Sequence, residues 1–465
     1  MPAITRKHLS VKNMQTDSFI CPAAMVLLAI FCFCYSIFGA NFAETSIQFY
    51  FLNFPVFAGE ILFALCVILF LLEFKRSSKR INKKGYLLLI YVGFILIKSF
   101  HGYFNWGPLA FRNAALFYYV LFALFGYIFF DVNILKKKYV FFTNIAIITL
   151  CLIFRLVDAY FVFTYLMLFL VLVDAVGFKK LQFIAISLMV LFFPYKSLFF
   201  VHRGVLFAEI AAVIFLLVAM CNILKIKKSI KIVLVVFVLC AFSAMAFMFV
   251  DKGAIKPFLN PGIILKQFYA YESKIDQISR ENETENAKEE EGKLRLYDPD
   301  NSVKRVPQLA YKSGNQERRY MGSVNNIYWR MFLWKEMSAE LLNNRNIFGL
   351  DFGKPFRPKS VKILRWSSGI GWLEPHNSYL HMLYRAGVFG VVLVLVLCFF
   401  FARATYSFIR KRCIKGVMLS SILLYWLVVS NFEVIFELPY FAIPFWSLFG
   451  MVLKYSNSKM QVKGE

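Results

Sequence analysis

Long apolar runs alternate with short polar breaks over residues 19–250 and again over 377–454. The runs lie near 19–38, 53–73, 86–104, 113–130, 139–157, 160–177, 181–200, 204–224, 232–250, 377–402, 416–437 and 439–454. Most approach the roughly 20 apolar residues that a helix needs to cross a bilayer core. They are too long and too uniformly apolar for the alternating strands of a membrane barrel, so helices are the expected spanning form. The pattern predicts an all-α polytopic membrane protein with about twelve transmembrane helices. Its expected order is a tail over 1–18, helices over 19–250, a large polar loop over 251–376, helices over 377–454 and a second tail over 455–465.

Composition agrees: 60% of the residues are hydrophobic and only 17% charged, against the quarter or so usual in soluble domains. A net charge of +26 would suggest nucleic acid in a soluble protein, and the distribution of the basic residues argues otherwise. With the N-terminus inside, 26 of the 53 basic residues fall on inner segments, from Arg6 through Lys75–Lys84 and Arg403–Lys415 to Lys463. The short outer loops and the spans hold six, namely Lys98, Arg112, Arg155, Lys196, Arg203 and Arg385. That bias places both termini in the cytoplasm and the large loop outside, and no nucleic-acid partner is expected. The first run has no A-x-A site after it and reads as a retained anchor. None of the nine cysteines lies in the large loop, so neither a disulfide framework nor a zinc site is supported.

Within 251–376, Asn260-Pro261 reads as a helix start, and Glu281 to Glu291 as a solvated or disordered acidic stretch. Asn325 to Asn344 reads as an amphipathic helix on which Arg330 and Trp334, four apart, share a face. Gly349 and Gly353 mark a turn or a close backbone approach. The chain re-enters the membrane at EPHNSYLHMLYRAGVFG. If that segment is helical from near Pro375, positions 376, 380, 383, 387 and 390 form one stripe, with His376 at the outer mouth.

Each candidate has a plain reading beside the chemical one. Arg330 fits a surface arginine, Arg203 a contact to lipid phosphate, and His376 an interfacial cap. Arg385 reads as a structural ion pair. Taken together, two outer guanidinium groups and an imidazole that titrates near neutrality suit an anionic, lipid-linked substrate. Glu433 and Glu437, four apart near an outer helix end, could position a substrate hydroxyl or pair with Arg203, and Arg112 could reach the same ligand.

Three segments carry a family resemblance. His376-Asn377, a nine-residue gap and Gly387-Val388-Phe389-Gly390 resemble the His-Asn…Gly-x-x-Gly pattern of the bacterial O-antigen ligase and O-antigen polymerase family of membrane glycosyltransferases. Arg330 and Trp334 leading to Asn346–Gly353 are similar to the family's Arg, Trp and Pro-x-x-Gly-x-Gly stretch, with Asn346 for Pro and a wider glycine spacing. His202-Arg203-Gly204 is similar to its Ser-Arg-Gly helix entry, with His for Ser. The likeness covers roughly Tyr195 to Leu395.

The resemblance implies a glycosyltransferase type C fold in the bacterial inner membrane, with the large loop periplasmic. It implies a glycan donor on undecaprenyl diphosphate and neither a nucleotide nor a catalytic metal, so no cofactor is expected. Arg203 and Arg330 would neutralise the diphosphate and His376 would activate or orient the acceptor hydroxyl. Asn377 and Trp334 of the matched motifs would line the substrate site, and Arg112, Glu433 and Glu437 join them as candidates by their own placement near the outer face. The acceptor would be a second lipid-linked repeat for a polymerase, the reading the His376 motif favours. It would be lipid A core for a ligase, and protein in some relatives. A chain-length regulator or a flippase would be a protein partner. A transporter or lipid-linked-oligosaccharide flippase is the rival class, disfavoured because the sequence shows no internal repeat.

Overall fold

The computed structural model describes residues 20–49, 54–76, 83–130, 158–175, 203–223, 330–331, 333–344, 346–356 and 375–458. Helix α1 (Ile20–Ala43) is followed by a β-hairpin, β1 (Ser46–Phe49) antiparallel to β2 (Phe54–Phe57), with Ser46 opposite Phe57. Then come α2 (Ala58–Arg76), α3 (Lys83–Trp106), α4 (Leu109–Tyr118), α5 (Leu121–Phe129), α6 (Ala159–Ala175) and α7 (Arg203–Ile223). Residues 330–331 and 333–343 are helical. The chain continues with α8 (Ser378–Ala386), α9 (Val388–Arg410), α10 (Ile414–Val429) and α11 (Pro439–Asn457).

Among the described residues the protein is mostly helical, with four helices long and apolar enough to cross a membrane: Pro22–Ala43, Tyr86–Trp106, Gly204–Ile223 and Val388–Arg410. There are five if α4 and α5, bent by 41°, count as one broken span. Side chains on α3 such as Ile97 and Phe104 (72% and 81% exposed), and Leu395 and Phe399 on α9, face outward, where lipid rather than water would suit them. Helix α10 is buried on nearly every side, as expected of a helix apolar all round. It packs on α6 through Trp426, whose Nε1 donates to Thr164 Oγ1 at 2.9 Å, and Tyr425, whose hydroxyl donates to Tyr160 O.

One end of the bundle gathers the hairpin, the ends of α3 and α1, the starts of α6, α7 and α11, and segment 430–438. The contacts that tie it together include Trp106 to Asp351, Asp158 N to Ser36 O, and Gly59 against Pro439. These are the ends that the charge pattern assigns to the outside.

Four expectations are corrected. Residues 54–57, expected to open a span, are a strand, because they pair with β1 before α2 begins. The expected span 113–130 is two helices. The expected span 377–402 breaks at Gly387, and its second part runs on to Arg410. The span expected over 416–437 ends at Val429; residues 430–438 turn, and Pro439 opens α11. The expected spans 139–157, 181–200 and 232–250, the helix start at Asn260-Pro261 and the acidic 281–291 stretch lie outside the described residues.

The break at Gly387 is built from distant residues. Gly387 has φ +54, and a Cβ there would lie 1.9 Å from Ile347 O. A Cβ at Gly349, φ +73, would lie 2.6 Å from Arg385 C and Ala386 N. The backbone groups freed by the break find partners in 347–350: Val388 N donates to Ile347 O at 2.9 Å and Leu350 N to Tyr384 O at 2.8 Å. Lys98 Nζ, on the inward face of α3, reaches Arg385 O at 2.7 Å and the carbonyls of Phe348, Gly349 and Leu350 at 2.8 to 3.3 Å.

Candidate functional site

The helical residues 330–331 and 333–343 put Arg330 and Trp334 on one face, as their spacing predicts, and that face meets two separate segments. Trp334 Nε1 donates to Pro375 O at 2.7 Å, fixing the chain just before His376. Arg330 Nη1 donates to Phe432 O at 2.6 Å, and its Nη2 lies 3.7 Å from Glu433 Oε1. The other carboxylate oxygen of Glu433 is 3.5 Å from His376 Nδ1. Glu433 therefore stands between the guanidinium and the imidazole, all three partly exposed. A sequence distance of about a hundred residues separates Arg330 from Glu433, so only the tertiary fold assembles the trio. The Tyr160 hydroxyl is also hydrogen-bonded to Glu433.

His376 precedes α8 rather than lying on it, at φ +50. Positive φ is uncommon for a residue with a Cβ and costs about 1–3 kcal/mol, a kind of strain that clusters at functional sites. Asn377 supplies the N-cap, accepting from Leu380 N at 2.9 Å. The helical stripe expected from His376 to Gly390 is thus corrected at both ends: His376 is outside the helix and Gly387 ends it. Asn377, expected to touch substrate, has its side-chain oxygen engaged in the cap.

Arg203 opens α7, and its side chain lies outside the described residues. Its neighbour Gly204 is packed on Phe432, where an added Cβ would come within 2.7 Å of the ring-bearing carbon. The start of α7 therefore abuts the same Phe432 whose carbonyl holds Arg330.

Glu437 parts from Glu433. Since 430–438 is not helical, the two carboxylates do not share a face: Glu437 is turned inward and is 3% exposed. Its Oε2 lies 3.1 Å from Nδ1 of fully buried His381, and its Oε1 accepts from Asn113 Nδ2 at 3.3 Å and lies 3.8 Å from Arg112 Nε. His381 Nε2 accepts from Arg385 Nε at 3.3 Å, which leaves its proton on Nδ1, toward Glu437. Burial would raise the Glu437 carboxyl, but His381, then Arg112 and Arg385, outweigh it and hold the group below its ordinary value. Glu437 is therefore corrected from a substrate contact to an internal anchor that holds half-exposed Arg112. Arg385, expected to form a structural ion pair, is buried and instead donates to the His381 ring and the Asp351 carbonyl.

Sequence reasoning missed His381, Tyr160 and Ser378. His381 could have been flagged as an ionisable residue in an apolar segment, four before Arg385. Nothing in the sequence singles out Tyr160 from the other aromatic residues of its run. No protein-family model, no curated protein and no solved structure matches the chain.

Proposed function

We propose that this chain transfers a glycan from an undecaprenyl-diphosphate-linked donor to a hydroxyl acceptor at the outer face of the bacterial inner membrane, as a polymerase of surface-polysaccharide repeats. The observation that supports this most is the Arg330–Glu433–His376 trio at the end of the bundle where the charge pattern puts the outside. A lipid diphosphate is already an activated leaving group, so the protein has mainly to position it and stabilise developing charge.

In this reading, Arg330, and Arg203 from the start of α7, bind the diphosphate, and Arg112, held by Glu437, adds a third positive charge. Glu433 faces Nδ1 of His376, which leaves Nε2 to take the proton of the acceptor hydroxyl. The hydroxyl oxygen bonds to the anomeric carbon, the bond from that carbon to the diphosphate oxygen breaks, and the diphosphate leaves with the electron pair.

A polysaccharide gel of a deletion strain tests the acceptor. A single repeat on core supports the polymerase, whereas free core with accumulated lipid-linked polymer supports a ligase. Unaltered polysaccharide overturns both.

A further inference from the structure

Ser378, the first residue of α8 and two residues past His376, is fully buried. Its amide donates to Ser430 O at 2.8 Å. Its hydroxyl donates to the Glu433 carbonyl at 2.9 Å and accepts from the amides of Ile435 at 2.8 Å and Phe436 at 3.4 Å. A hydroxyl has one proton to give and two lone pairs, so this one is fully used. It gathers three backbone groups of a segment that has neither helix nor strand to satisfy them. The carbonyl it holds belongs to the residue whose carboxylate separates Arg330 from His376. One oxygen atom thus joins the two halves of the site, 376–378 and 430–436. Further along, Asn113 and His381 hold Glu437 independently. Loss of the Ser378 hydroxyl would therefore release the stretch around Glu433 while its far end stays anchored.

We infer that Ser378 is a positioning residue that sets Glu433 against His376 and Arg330 and thereby governs the rate of group transfer without touching substrate. This inference rests on the glycan-transfer reading above. It is tested with the purified full chain in liposomes supplied with a fluorescent lipid diphosphate glycan donor. Ser378→Ala is expected to lower kcat by about tenfold or more while the donor KM stays within about twofold, and Ser378→Thr, which keeps the hydroxyl, to recover most of the loss. In a Glu433→Gln background Ser378→Ala should add little, because the group it positions is already impaired. Equal losses in both backgrounds, or no recovery by Ser378→Thr, overturn the inference.

A second readout does not depend on the reaction. Glu433→Cys leaves the backbone carbonyl in place, and its labelling by a membrane-impermeant maleimide should accelerate several-fold on adding Ser378→Ala but not Ser378→Thr. Unchanged labelling overturns the positioning role. Accelerated labelling in a protein that transfers no glycan overturns the glycan-transfer reading alone. If Ser378→Ala does not accumulate in the membrane, Ser378→Cys should show the same changes at smaller amplitude, and wild-type kinetics and labelling in that variant overturn the inference.

Discussion

Replacing Gly387 by Ala places a methyl group at φ +54 and ψ −127, with the new carbon 1.9 Å from Ile347 O and 2.6 Å from Gly349 N. Both obstacles are backbone atoms, so no side-chain rotation relieves them. The conformation alone costs about 1–3 kcal/mol for a residue with a Cβ. Moving 347–350 aside gives up the Val388 N to Ile347 O and Leu350 N to Tyr384 O bonds, each a contribution of about 1 kcal/mol. The expected loss is about 3–5 kcal/mol, at the upper end for a single substitution. Gly93 on α3 is the control, since a Cβ there meets nothing within 4 Å. Gly93→Ala should be neutral or stabilising by up to about 1 kcal/mol through helix propensity. Equilibrium unfolding in detergent, followed by the fluorescence of buried Trp426 and Trp446, measures both variants. Equal stability of Gly387→Ala and Gly93→Ala would refute the broken-helix geometry and the packing of 347–350 against it.

Lys98→Met strands the Arg385 and Leu350 carbonyls, and the same unfolding experiment should show a loss of about 3 kcal/mol. Glu437→Gln removes the charge that His381 and Arg112 face; it should cost about 3 kcal/mol, whereas Arg112→Ala, at a half-exposed partner, should cost less than about 1 kcal/mol. Trp334→Phe keeps an aromatic ring but loses the bond to Pro375 O and some packing volume, so it should cost about 1–2 kcal/mol and lower glycan transfer by freeing the approach to His376.

What the sequence made legible was local. The four-residue spacing of Arg330 and Trp334 places both on one helical face, and each meets a separate part of the site. The apolar runs locate α3, α6, α7 and α11 to within three residues at each end. The misreadings share a cause: an apolar run does not reveal where a helix stops when its terminator lies far away in sequence. SNFEVIFEL contains no Gly or Pro before Pro439, so Glu433 and Glu437 look like neighbours on one helix. Their separation is fixed by Ser378, Asn113 and His381. Likewise Gly387 reads equally well as a helix-packing glycine or a break, and the choice is made by 347–350, about forty residues earlier.

The most direct test of the account is glycan transfer by purified protein in liposomes containing the lipid diphosphate donor and an acceptor, without added nucleotide, comparing wild type with His376→Ala and Arg330→Ala. The account predicts transfer by wild type and a loss of at least about a hundredfold in each variant at unchanged insertion. Donor translocation without transfer by wild type, or full transfer by either variant, would contradict it.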